Sequence, residues 1–547
     1  MAVIVFNGER IEAQVGETLF AVADRSACGS REIASSCHRT GQCRECIVQV
    51  RRGNEHLSPW SEAEAFLRHQ SDADEQIYRL ACQARIIRSD AIVEVETFKR
   101  RLEIAAEGRA VSDPLDPWVR REGEYVCGDG HRLARYEGTV HGVAIDVGTT
   151  TVVLHAVDLE TGRTVAVRAF ENLQKYGGSD VLHRISYDAA HPGQLHRTII
   201  AQVNDALRGL PIRRHGIFAV TVAGNPTMRD LFFGLDVQSL GQRPFMSRTQ
   251  MDVLAGRCES TSLQTDGKSL GLAVHPQARV YGLPLVSHHV GADTAAVLAT
   301  IPIEQHTVPF MVIDIGTNTE VAIGDRGRLI CASCPAGPAF EGGRVSCGAA
   351  ATDGAITGIR RLDGRWEAAA IGDGPLRGFC GSGLVDLLAE LRRSGEMDEL
   401  GRFRDGCAAV VLWPDSPLAF TRADASELAQ AKAANAVGQY VLLRRFGATV
   451  DQIGTYYLAG AFANGMNLDN ARRIGLLLPV PDDRIVRIGN ASIEGAKGAM
   501  VSRACRDRIE ALVRRVEHVE LEQEPDFFDL FAEMTRVAPI PCEARSA

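Results

Sequence analysis

The sequence contains no run of apolar residues that approaches the ~20 needed for a membrane-spanning helix. Its first residues, MAVIVFNGERIEAQ, also lack the basic start and the long apolar run of a signal peptide. The chain has no basic excess either, because its formal net charge is -9, which argues against generic binding of nucleic acid. We therefore expect a cytoplasmic protein that has neither a membrane nor a nucleic acid among its partners.

The 14 cysteines are too sparse, in a chain of 547 residues, for the disulfide framework of a small secreted domain. Four of them instead have the spacing of iron ligands. Cys37, Cys43 and Cys46 lie on one loop, with five and then two residues between them, and Cys82 follows after 35 more. Four thiolates supplied in this way can enclose the two irons of a 2Fe-2S cluster. The alternatives are four unrelated core thiols or a structural zinc, which usually has two close cysteine pairs, and we favour the 2Fe-2S cluster.

The segments around these cysteines predict a β-grasp ferredoxin domain over residues 1–97. Asn7 and Gly8 are typical of the type I′ turn of a hairpin, because both residue types readily take positive φ values. Residues 18–25 have the apolar spacing of a helix. The strands are predicted at 3–6, 9–15, 47–53 and 92–97. The five-residue gap between the first two cluster cysteines resembles the adrenodoxin branch of the ferredoxins.

Residues 98–140 break this composition. They are polar, contain prolines and show no periodicity, so we predict a linker or a reduced middle region. A tether here would let the cluster move between an electron donor and an acceptor. The alternative, with equal support, is that the stretch packs across the next domain.

One pattern occurs twice, at 143–162 and at 311–327: an apolar strand, then Asp, Gly and Thr in a tight turn, then a second strand. The glycine leaves backbone N–H groups free to point at anionic oxygens, and the threonine hydroxyls add donors. Asp146 and Asp314, at the ends of the first strands, are suited to hold Mg²⁺ or its waters. A single copy often only closes a hairpin, but two copies indicate two related phosphate-binding lobes, which we place at 141–304 and 305–547.

The paired lobes resemble the superfamily of acetate kinase, sugar kinases, Hsp70 and actin, in which two ribonuclease-H-like lobes close over ATP. Residues 285–299 are similar to the sugar-kinase segment whose Asp is a general base, which implies a hydrolytic or phosphoryl-transfer role for Asp293. Gly381 and Ser382 begin an apolar-periodic helix, a position suited to anion binding. Residues 456–467 are similar to the adenosine motif, in which Gly460 would lie against the nucleoside. The resemblance implies an α/β and α+β multidomain fold, a β-grasp ferredoxin followed by a two-lobed ATPase.

The chain as a whole resembles the reductive activators of corrinoid proteins, and five further segments carry the likeness: 171–185, 222–228, 334–343, 489–500 and 518–534. The family implies ATP-dependent transfer of one electron from the 2Fe-2S cluster to the Co(II) of a corrinoid protein in a methyltransferase system, which regenerates Co(I), after reduction of the cluster by an upstream electron donor. ATP with Mg²⁺ would be held by Asp146, Gly148, Thr149, Thr150, Asp314, Gly316, Thr317, Asn318, Gly381, Ser382 and Gly460. A homodimer is also an expectation, although the stretch 98–140 departs from the larger middle domain that helps the better-known members dimerise.

Three other functions are weighed against this one. A kinase with a ferredoxin as its sensor would transfer phosphate to a small acceptor. A dehydratase activator would share one cluster between two subunits through cysteines in the lobes, and Cys331 and Cys334 form a C-x-x-C pair, although we favour core burial for both. A binding scaffold would sense the corrinoid state without turnover. No role is assigned to Cys347 or Cys380.

Overall fold

The structure is a computed structural model, and it describes residues 1–6, 8–25, 33, 39, 41, 46–64, 67, 77–97, 107–177, 180–362, 364–372, 375–413 and 418–541. Its first sheet has five strands in the order β2-β1-β5-β3-β4. The elements are β1 (Ala2–Phe6), β2 (Glu9–Ala13), α1 (Leu19–Ala23), β3 (Ile47–Arg52), β4 (Ile77–Leu80) and β5 (Ile92–Thr97). The predicted strands and helix are confirmed within a few residues, whereas Asn7 of the predicted turn lies outside the described residues.

Alternating burial explains this first sheet. In β1 every second side chain is buried, with Ile4 and Phe6 fully inside, as a strand with one face on a core requires. The strands β1 and β5 are parallel, and their other neighbours are antiparallel. Helix α1 begins at Thr18, whose side chain accepts from the Ala21 amide. The sheet therefore has the mixed topology expected of a β-grasp ferredoxin.

Residues 107–140 pack across the domain that follows them. They contain an antiparallel meander of β6 (Val119–Glu122), β7 (Tyr125–Gly128) and β8 (His131–Arg135). Trp118 is 3% exposed and its ring meets that of Tyr281 edge-on, with 6.3 Å between centroids. Arg508 donates to both carboxylate oxygens of Asp113. This stretch is thus held by long-range contacts, and the domain boundaries proposed from the sequence stay predictions.

Lobe I, comprising residues 141–299, is built on a six-stranded sheet in the order β11-β10-β9-β12-β14-β13. The strands are β9 (His141–Val147), β10 (Thr151–Asp158), β11 (Thr164–Glu171), β12 (Ile217–Gly224), β13 (Leu263–Asp266) and β14 (Arg279–Gly282). The first three are antiparallel neighbours, and β12 and β14 run parallel to β9. All eight residues of β12 are buried, as in a strand covered on both faces.

Lobe II, comprising residues 310–534, repeats this arrangement. Its six-stranded sheet has the order β24-β23-β15-β16-β17-β25, with β15–β17 antiparallel and β23 and β24 parallel to β15. The strands are β15 (Phe310–Asp314), β16 (Thr319–Gly324), β17 (Leu329–Cys334), β18 (Ala355–Leu362), β19 (Arg365–Ala370), β20 (Gly378–Phe379), β21 (Ala409–Val411), β22 (Ala419–Thr421), β23 (Thr455–Ala459), β24 (Ile485–Gly489) and β25 (Glu517–His518). Five strands follow the order of lobe I, which confirms the duplication read from the sequence, whereas the sixth strands, β13 and β25, lie at opposite edges of their sheets. Strands β18–β22 form two small sheets inserted after β17.

Helices cover both large sheets. Lobe I has α2 (Val181–Ala190), α3 (Gln194–Arg208), α4 (Pro226–Phe232), α5 (Arg248–Leu254) and α6 (Ala292–Ala299). Lobe II has α7 (Gly381–Arg393), α8 (Arg422–Phe446), α9 (Ala461–Asn464), α10 (Leu468–Arg473), α11 (Ala491–Val501), α12 (Arg503–Arg515) and α13 (Phe527–Met534). Helix α8 begins with a capping box of Thr421 and Asp424 and ends at Gly447, which has φ +81°. In the part of the chain that the structure describes, every helix is too short or too polar to cross a membrane.

Helices α6 and α11 join the two lobes. A Cβ atom on Gly495 of α11 would lie 2.0 Å from the carbonyl oxygen of Ala296 in α6, so the two helices touch through their backbones. Helix α11 also packs on the lobe I sheet, where the Thr221 hydroxyl donates to the Ala496 carbonyl oxygen at 2.9 Å. The cleft between the lobes lies at the ends of β9 and β15, and α6 brings Asp293 to it.

Candidate functional site

Two of the four predicted cluster ligands lie side by side at one end of the ferredoxin sheet. Cys46 precedes β3 and Cys82 follows β4, and the Ala81 amide donates to the Cys46 carbonyl oxygen at 2.8 Å. Both cysteines are buried, at 1% and 4% exposure. The structure thus brings Cys46 and Cys82 together, while Cys37 and Cys43 lie outside the described residues.

The surroundings of Cys82 suit a thiolate that binds metal. Gln83 Nε2 lies 3.4 Å from Cys82 Sγ and also donates to the Arg39 carbonyl oxygen at 3.0 Å. Gly41 has φ +87°, and a Cβ atom there would lie 2.7 Å from Ala63 Cβ, so the chain at this position comes closer to Ala63 than a residue with a side chain could. N–H donors directed at sulfur stabilise the ligating thiolate. Cys46 and Cys82 fit the role of cluster ligands, and ligation of a 2Fe-2S cluster by all four cysteines stays a prediction.

The duplicated segments form tight turns in the two lobes. Gly148 lies between β9 and β10, its amide donates to the Thr151 carbonyl oxygen at 3.0 Å, and a Cβ atom there would lie 2.5 Å from that oxygen. Gly316 lies between β15 and β16, where a Cβ atom would lie 3.3 Å from the Asn318 carbonyl oxygen. In both turns, a side chain in place of the glycine would therefore press against a backbone carbonyl oxygen.

The two turns meet across the cleft through one carboxylate. The Thr150 hydroxyl of lobe I donates to Glu341 Oε2 at 2.6 Å, and the Thr317 hydroxyl of lobe II donates to Glu341 Oε1 at 2.7 Å. The two hydroxyl oxygens are 3.3 Å apart. The duplicated pattern predicts both threonines at a phosphate site, whereas Glu341 lies inside the family-like segment 334–343 and has no motif of its own.

A buried guanidinium adds positive charge beside the lobe I turn. Arg184 is 1% exposed, and its Nη2 donates to the Thr149 carbonyl oxygen at 2.6 Å. Burial lowers the pKa of Arg184 to about 10, while the charges of Asp180 and Glu341 oppose this shift. The group stays charged at neutral pH, so it can pair with an anionic ligand of the turn. Arg184 was also missed from the sequence, because it lies in a helix that carries no phosphate motif.

Four carboxyl groups lie close enough together that the charge of at least one neighbour raises the pKa of three of them. Burial raises the pKa of Asp146 to about 6, against the hydrogen bond that Ser492 Oγ donates to it at 2.9 Å. Burial and the charge of Asp146 raise the pKa of Asp293 to about 7. Burial, Asp293 and Asp146 raise the pKa of Asp314 to about 7. Burial, Asp293 and Asp314 raise the pKa of Glu320 well above its usual range.

Such a group needs either protons or a cation, because like charges at short range disfavour joint ionisation. Oxygen ligands of this kind suit Mg²⁺. The structure therefore brings together the three aspartates that the sequence analysis selected, and it adds Glu320, which belongs to the second strand of the duplicated segment. These carboxyl groups are therefore the residues of the cleft that are best suited to bind Mg²⁺.

Gly460 forms the turn predicted to lie against a nucleoside. It connects β23 to α9 with φ +95°, and a Cβ atom there would lie 2.6 Å from the Ile315 carbonyl oxygen and 3.1 Å from Asp314 Oδ1. The turn is therefore adjacent to the lobe II turn at Gly316. Its role in binding adenosine stays a prediction.

The start of α7 lies near the same turn, but its groups have partners within the protein. The Ser382 hydroxyl donates to the Thr357 carbonyl oxygen at 2.7 Å. A Cβ atom on Gly381 would lie 2.3 Å from the Phe340 carbonyl oxygen and 2.5 Å from the Phe462 ring. Gly381 and Ser382 thus pack against other segments of lobe II, and their contact with a nucleotide stays a prediction.

Cys331 and Cys334 occupy opposite faces of β17, because residues three apart on a strand point in opposite directions. Cys331 packs with Val290 and Tyr457, whereas Cys334 packs against Gly438 of α8. Burial, together with the charge of Glu320, raises the pKa of both thiols. The pair cannot ligate one cluster together, which agrees with core burial and argues against a cluster shared between subunits. Cys347 and Cys380 are buried as well.

Further amides support the lobe I turn, and they too were missed from the sequence. Asn172 Nδ2 donates to the Gly148 carbonyl oxygen at 2.9 Å, and Asn225 Nδ2 donates to Thr149 Oγ1 at 3.0 Å. Both lie in segments that resemble the activator family, 171–185 and 222–228. A family resemblance marks such segments without showing which of their side chains reach the site.

Comparison with known proteins assigns three regions of the chain. Residues 4–86 match the model of the 2Fe-2S iron-sulfur cluster binding domain. Residues 141–306 match the RACo middle region, and residues 309–540 match the C-terminal domain of RACo, the ASKHA domain. The fold class read from the sequence is confirmed.

Relatives extend over most of the chain. The corrinoid activation enzyme RamQ of Eubacterium limosum is 30% identical over 426 residues, which cover 72% of this chain and 70% of RamQ. The reductase of the Co(II) methylated amine-specific corrinoid protein of Methanosarcina barkeri is 22% identical over 410 residues, 69% of this chain and 73% of the relative. A solved reductive activator for a corrinoid, iron-sulfur protein has the same fold, with a TM-score of 0.69 and 24% identity over 99% of both chains. This protein therefore belongs to the family of reductive activators of corrinoid proteins, enzymes that join a 2Fe-2S ferredoxin domain to an ASKHA domain.

Proposed function

We propose that the protein uses ATP to drive the one-electron reduction of a partner corrinoid protein from Co(II) to Co(I), so that the partner can accept a methyl group again. The observation that carries this proposal is the pair of opposed phosphate-type turns, joined through Glu341 and lined by Asp146, Asp293 and Asp314, in one chain with a ferredoxin domain. An upstream donor would have to reduce the ferredoxin domain, and the residues of the chain do not identify it.

The residues divide the task between two places. Cys46 and Cys82, with Cys37 and Cys43 of the predicted set, would hold the 2Fe-2S cluster, which supplies a one-electron carrier. In the cleft, Asp146 and Asp314 would hold Mg²⁺, and the turns at Gly148 and Gly316 would hold phosphate. Asp293 lies near both aspartates, because the charge of Asp146 raises its pKa and its own charge raises the pKa of Asp314. It is therefore suited to orient a water molecule near the terminal phosphate and to accept its proton.

Glu341 gives the cleft a way to respond to nucleotide. Each threonine hydroxyl has one proton to donate, so Glu341 and a phosphate oxygen compete for Thr150 and Thr317. Phosphate binding would release Glu341 from both turns and remove a link between the lobes. This exchange would couple the occupancy of the cleft to the position of lobe I relative to lobe II.

ATP would be needed because the reduction potential of the Co(II) centre lies below that of the 2Fe-2S cluster. Plant-type 2Fe-2S centres have potentials of about -400 mV, and each ~59 mV by which an acceptor lies below its donor costs a factor of ten in a one-electron equilibrium. A change of shape in the cleft that alters binding of the Co(II) partner can offset this cost, because binding energy and conformation are linked. Nucleotide hydrolysis would then reset the complex.

The test is an anaerobic assay in which the reduced protein is mixed with a candidate Co(II) corrinoid protein, and the absorbance of Co(I) is followed with and without ATP and Mg²⁺. We expect Co(I) to appear with ATP, together with inorganic phosphate, and Asp146→Ala to abolish both while the cluster absorbance persists. Asp205→Ala, at an exposed ion pair of lobe I with Arg208, is the matched control. Equal Co(I) formation without ATP would refute the ATP requirement, and phosphate transferred to a small acceptor would favour the kinase.

A further inference from the structure

Two histidines and one glutamate meet where the loop before α6 reaches the edge of the lobe II sheet. His288 lies in the loop that precedes α6, His518 ends β25, and Glu520 follows two residues later. One donor atom from each lies within 4.8 Å of the other two, and His288 Nε2 is 3.3 Å from Glu520 Oε1. The two imidazole rings stand at 88° with 4.9 Å between centroids.

The group formed by His288, His518 and Glu520 is held from both sides by backbone and side-chain contacts. His518 pairs with Cys331 in the lobe II sheet, and the Val519 amide donates to the Cys331 carbonyl oxygen at 2.8 Å. On the other side, Ser287 Oγ lies 3.2 Å from His288 Nδ1. A partner on one ring nitrogen fixes the orientation of the ring and directs the other nitrogen to a ligand. The loop itself is closed by the Ser287 amide, which donates to the Val290 carbonyl oxygen at 2.9 Å.

We propose that His288, His518 and Glu520 bind a divalent metal ion of the zinc class, with a water molecule completing the coordination. Two imidazoles and one carboxylate form a donor set that zinc uses in proteins. The distance of 3.3 Å between His288 Nε2 and Glu520 Oε1 is close to the separation of two ligands of one tetrahedral zinc, given bonds of roughly 2.0–2.2 Å. An ordinary ion pair between His288 and Glu520 would account for that contact. It would not account for the position of His518 next to both residues.

The position of the site indicates a structural role for the metal ion, namely to connect two parts of the protein. His288 belongs to the segment that leads into α6, which carries Asp293 to the cleft, whereas His518 and Glu520 belong to the edge of the lobe II sheet. A metal ion here would therefore tie the start of α6 to lobe II. This site is distinct from the predicted cluster cysteines and from the cleft aspartates, and it takes no part in moving the electron.

The test is a zinc titration of the holoprotein, with its cluster intact, against a chromophoric zinc chelator, with iron per chain measured in parallel. We expect one Zn²⁺ per wild-type chain with no loss of iron, and an affinity that falls by roughly 100-fold or more in His518→Ala and Glu520→Gln. Ser287→Ala should weaken binding by about 10-fold, as changes outside the ligand set do. Zn²⁺ should also raise the melting temperature of the wild type but not that of Glu520→Gln.

The matched control is His183→Ala, because His183 forms a surface pair with Asp180 at 2.8 Å that resembles the contact between His288 and Glu520. This variant should bind zinc like the wild type. Glu520 is 44% exposed, so Glu520→Gln should fold even if the histidine variants do not. Unchanged zinc affinity in Glu520→Gln, or zinc uptake that is matched by a loss of iron, would overturn the proposal.

Discussion

The carboxyl groups of Asp146, Asp293 and Asp314 carry the charge of the cleft, and each is held largely away from water. Burial and the neighbouring carboxylates raise the pKa of Asp314 from 3.8 to about 7. The folded protein therefore keeps a proton on Asp314 at pH values where the unfolded chain has released it. The resulting stability is present below the unfolded pKa and is lost as the pH rises towards 7.

Asp314→Asn should accordingly stabilise the protein in a pH-dependent manner when nucleotide and Mg²⁺ are left out. At pH 5 the folded wild type still holds the proton, but the unfolded chain, with its pKa of 3.8, has released it, so the variant should melt only slightly higher than the wild type. At pH 8 the wild type carries the unfavourable charge, and the variant should melt higher by roughly 2–4 °C for each kcal/mol of repulsion removed. Thermal denaturation at the two pH values measures this.

Asp205→Asn serves as the control, since Asp205 is 58% exposed and pairs with Arg208 at the surface. It should show no comparable dependence on pH. A melting-temperature difference for Asp314→Asn that is the same at pH 5 and pH 8 would contradict the raised pKa.

Strand β4 and the turn that follows it place Cys82, and a buried ion pair holds this element. Arg79 and Glu64 are 1% and 0% exposed and lie 2.8 Å apart. Glu64 also accepts from the Leu80 amide at 3.0 Å, while Arg79 donates to the Ser58 carbonyl oxygen at 3.0 Å. Removing one partner of a buried pair leaves the other charge uncompensated, which costs about 3–5 kcal/mol.

Glu64→Gln should therefore loosen the end of β4 without touching a cysteine. We expect the visible absorbance of the cluster to be lost at a lower urea concentration than in the wild type, with less iron retained after purification. Glu96→Gln is the control, because its pair with Arg51 is about half exposed on both sides, at 51% and 50%, and such surface pairs contribute little. Equal urea resistance of the two variants would show that the pair does not support the cluster loop.

On the scale of the whole molecule, the repeated sheet order makes two lobes, and the crossing of α6 and α11 sets the distance between them. Gly495 is the point of closest approach, since a Cβ atom there would overlap the Ala296 carbonyl group. Both helices supply residues to the cleft, because α6 carries Asp293 and α11 carries Ser492, which donates to Asp146. A shift of this crossing would therefore displace both residues from the cleft.

Gly495→Ala should push the two helices apart and lower both stability and ATP turnover. The methyl group would need more than 1 Å of movement to reach the ordinary contact distances of about 3.5–4.0 Å, and overpacking of this kind costs about 1–3 kcal/mol. ATPase assays and thermal denaturation would measure the two effects. Gly209→Ala, at the end of α3 where the nearest atom is 3.5 Å from the added Cβ, should leave both unchanged, and an equal response of the two variants would exclude the crossing as the cause.

The parts of this protein that could be predicted depend on chemistry between near neighbours in the chain. The hairpin strands of the ferredoxin domain and the two D-x-G-T turns follow from turn geometry, whereas the clustering of Cys37 and Cys43 with Cys46 stays a prediction. Because the two copies of the turn have the same local sequence, the equal topology of the two lobes was also predictable. The placement of Asp293 beside Asp146 and Asp314 came from resemblance rather than from spacing.

Tertiary structure alone decided which distant groups complete these sites. Glu341 is 191 positions from Thr150, and Ser492 is 346 positions from Asp146, so no local pattern relates them. The same holds for His288 and His518, and for the packing of Trp118 on Tyr281, where a linker had equal support. Local sequence determines backbone turns because their donors and acceptors lie a few residues apart, whereas contacts between lobes exist only once both sheets have closed and α6 and α11 have brought them together.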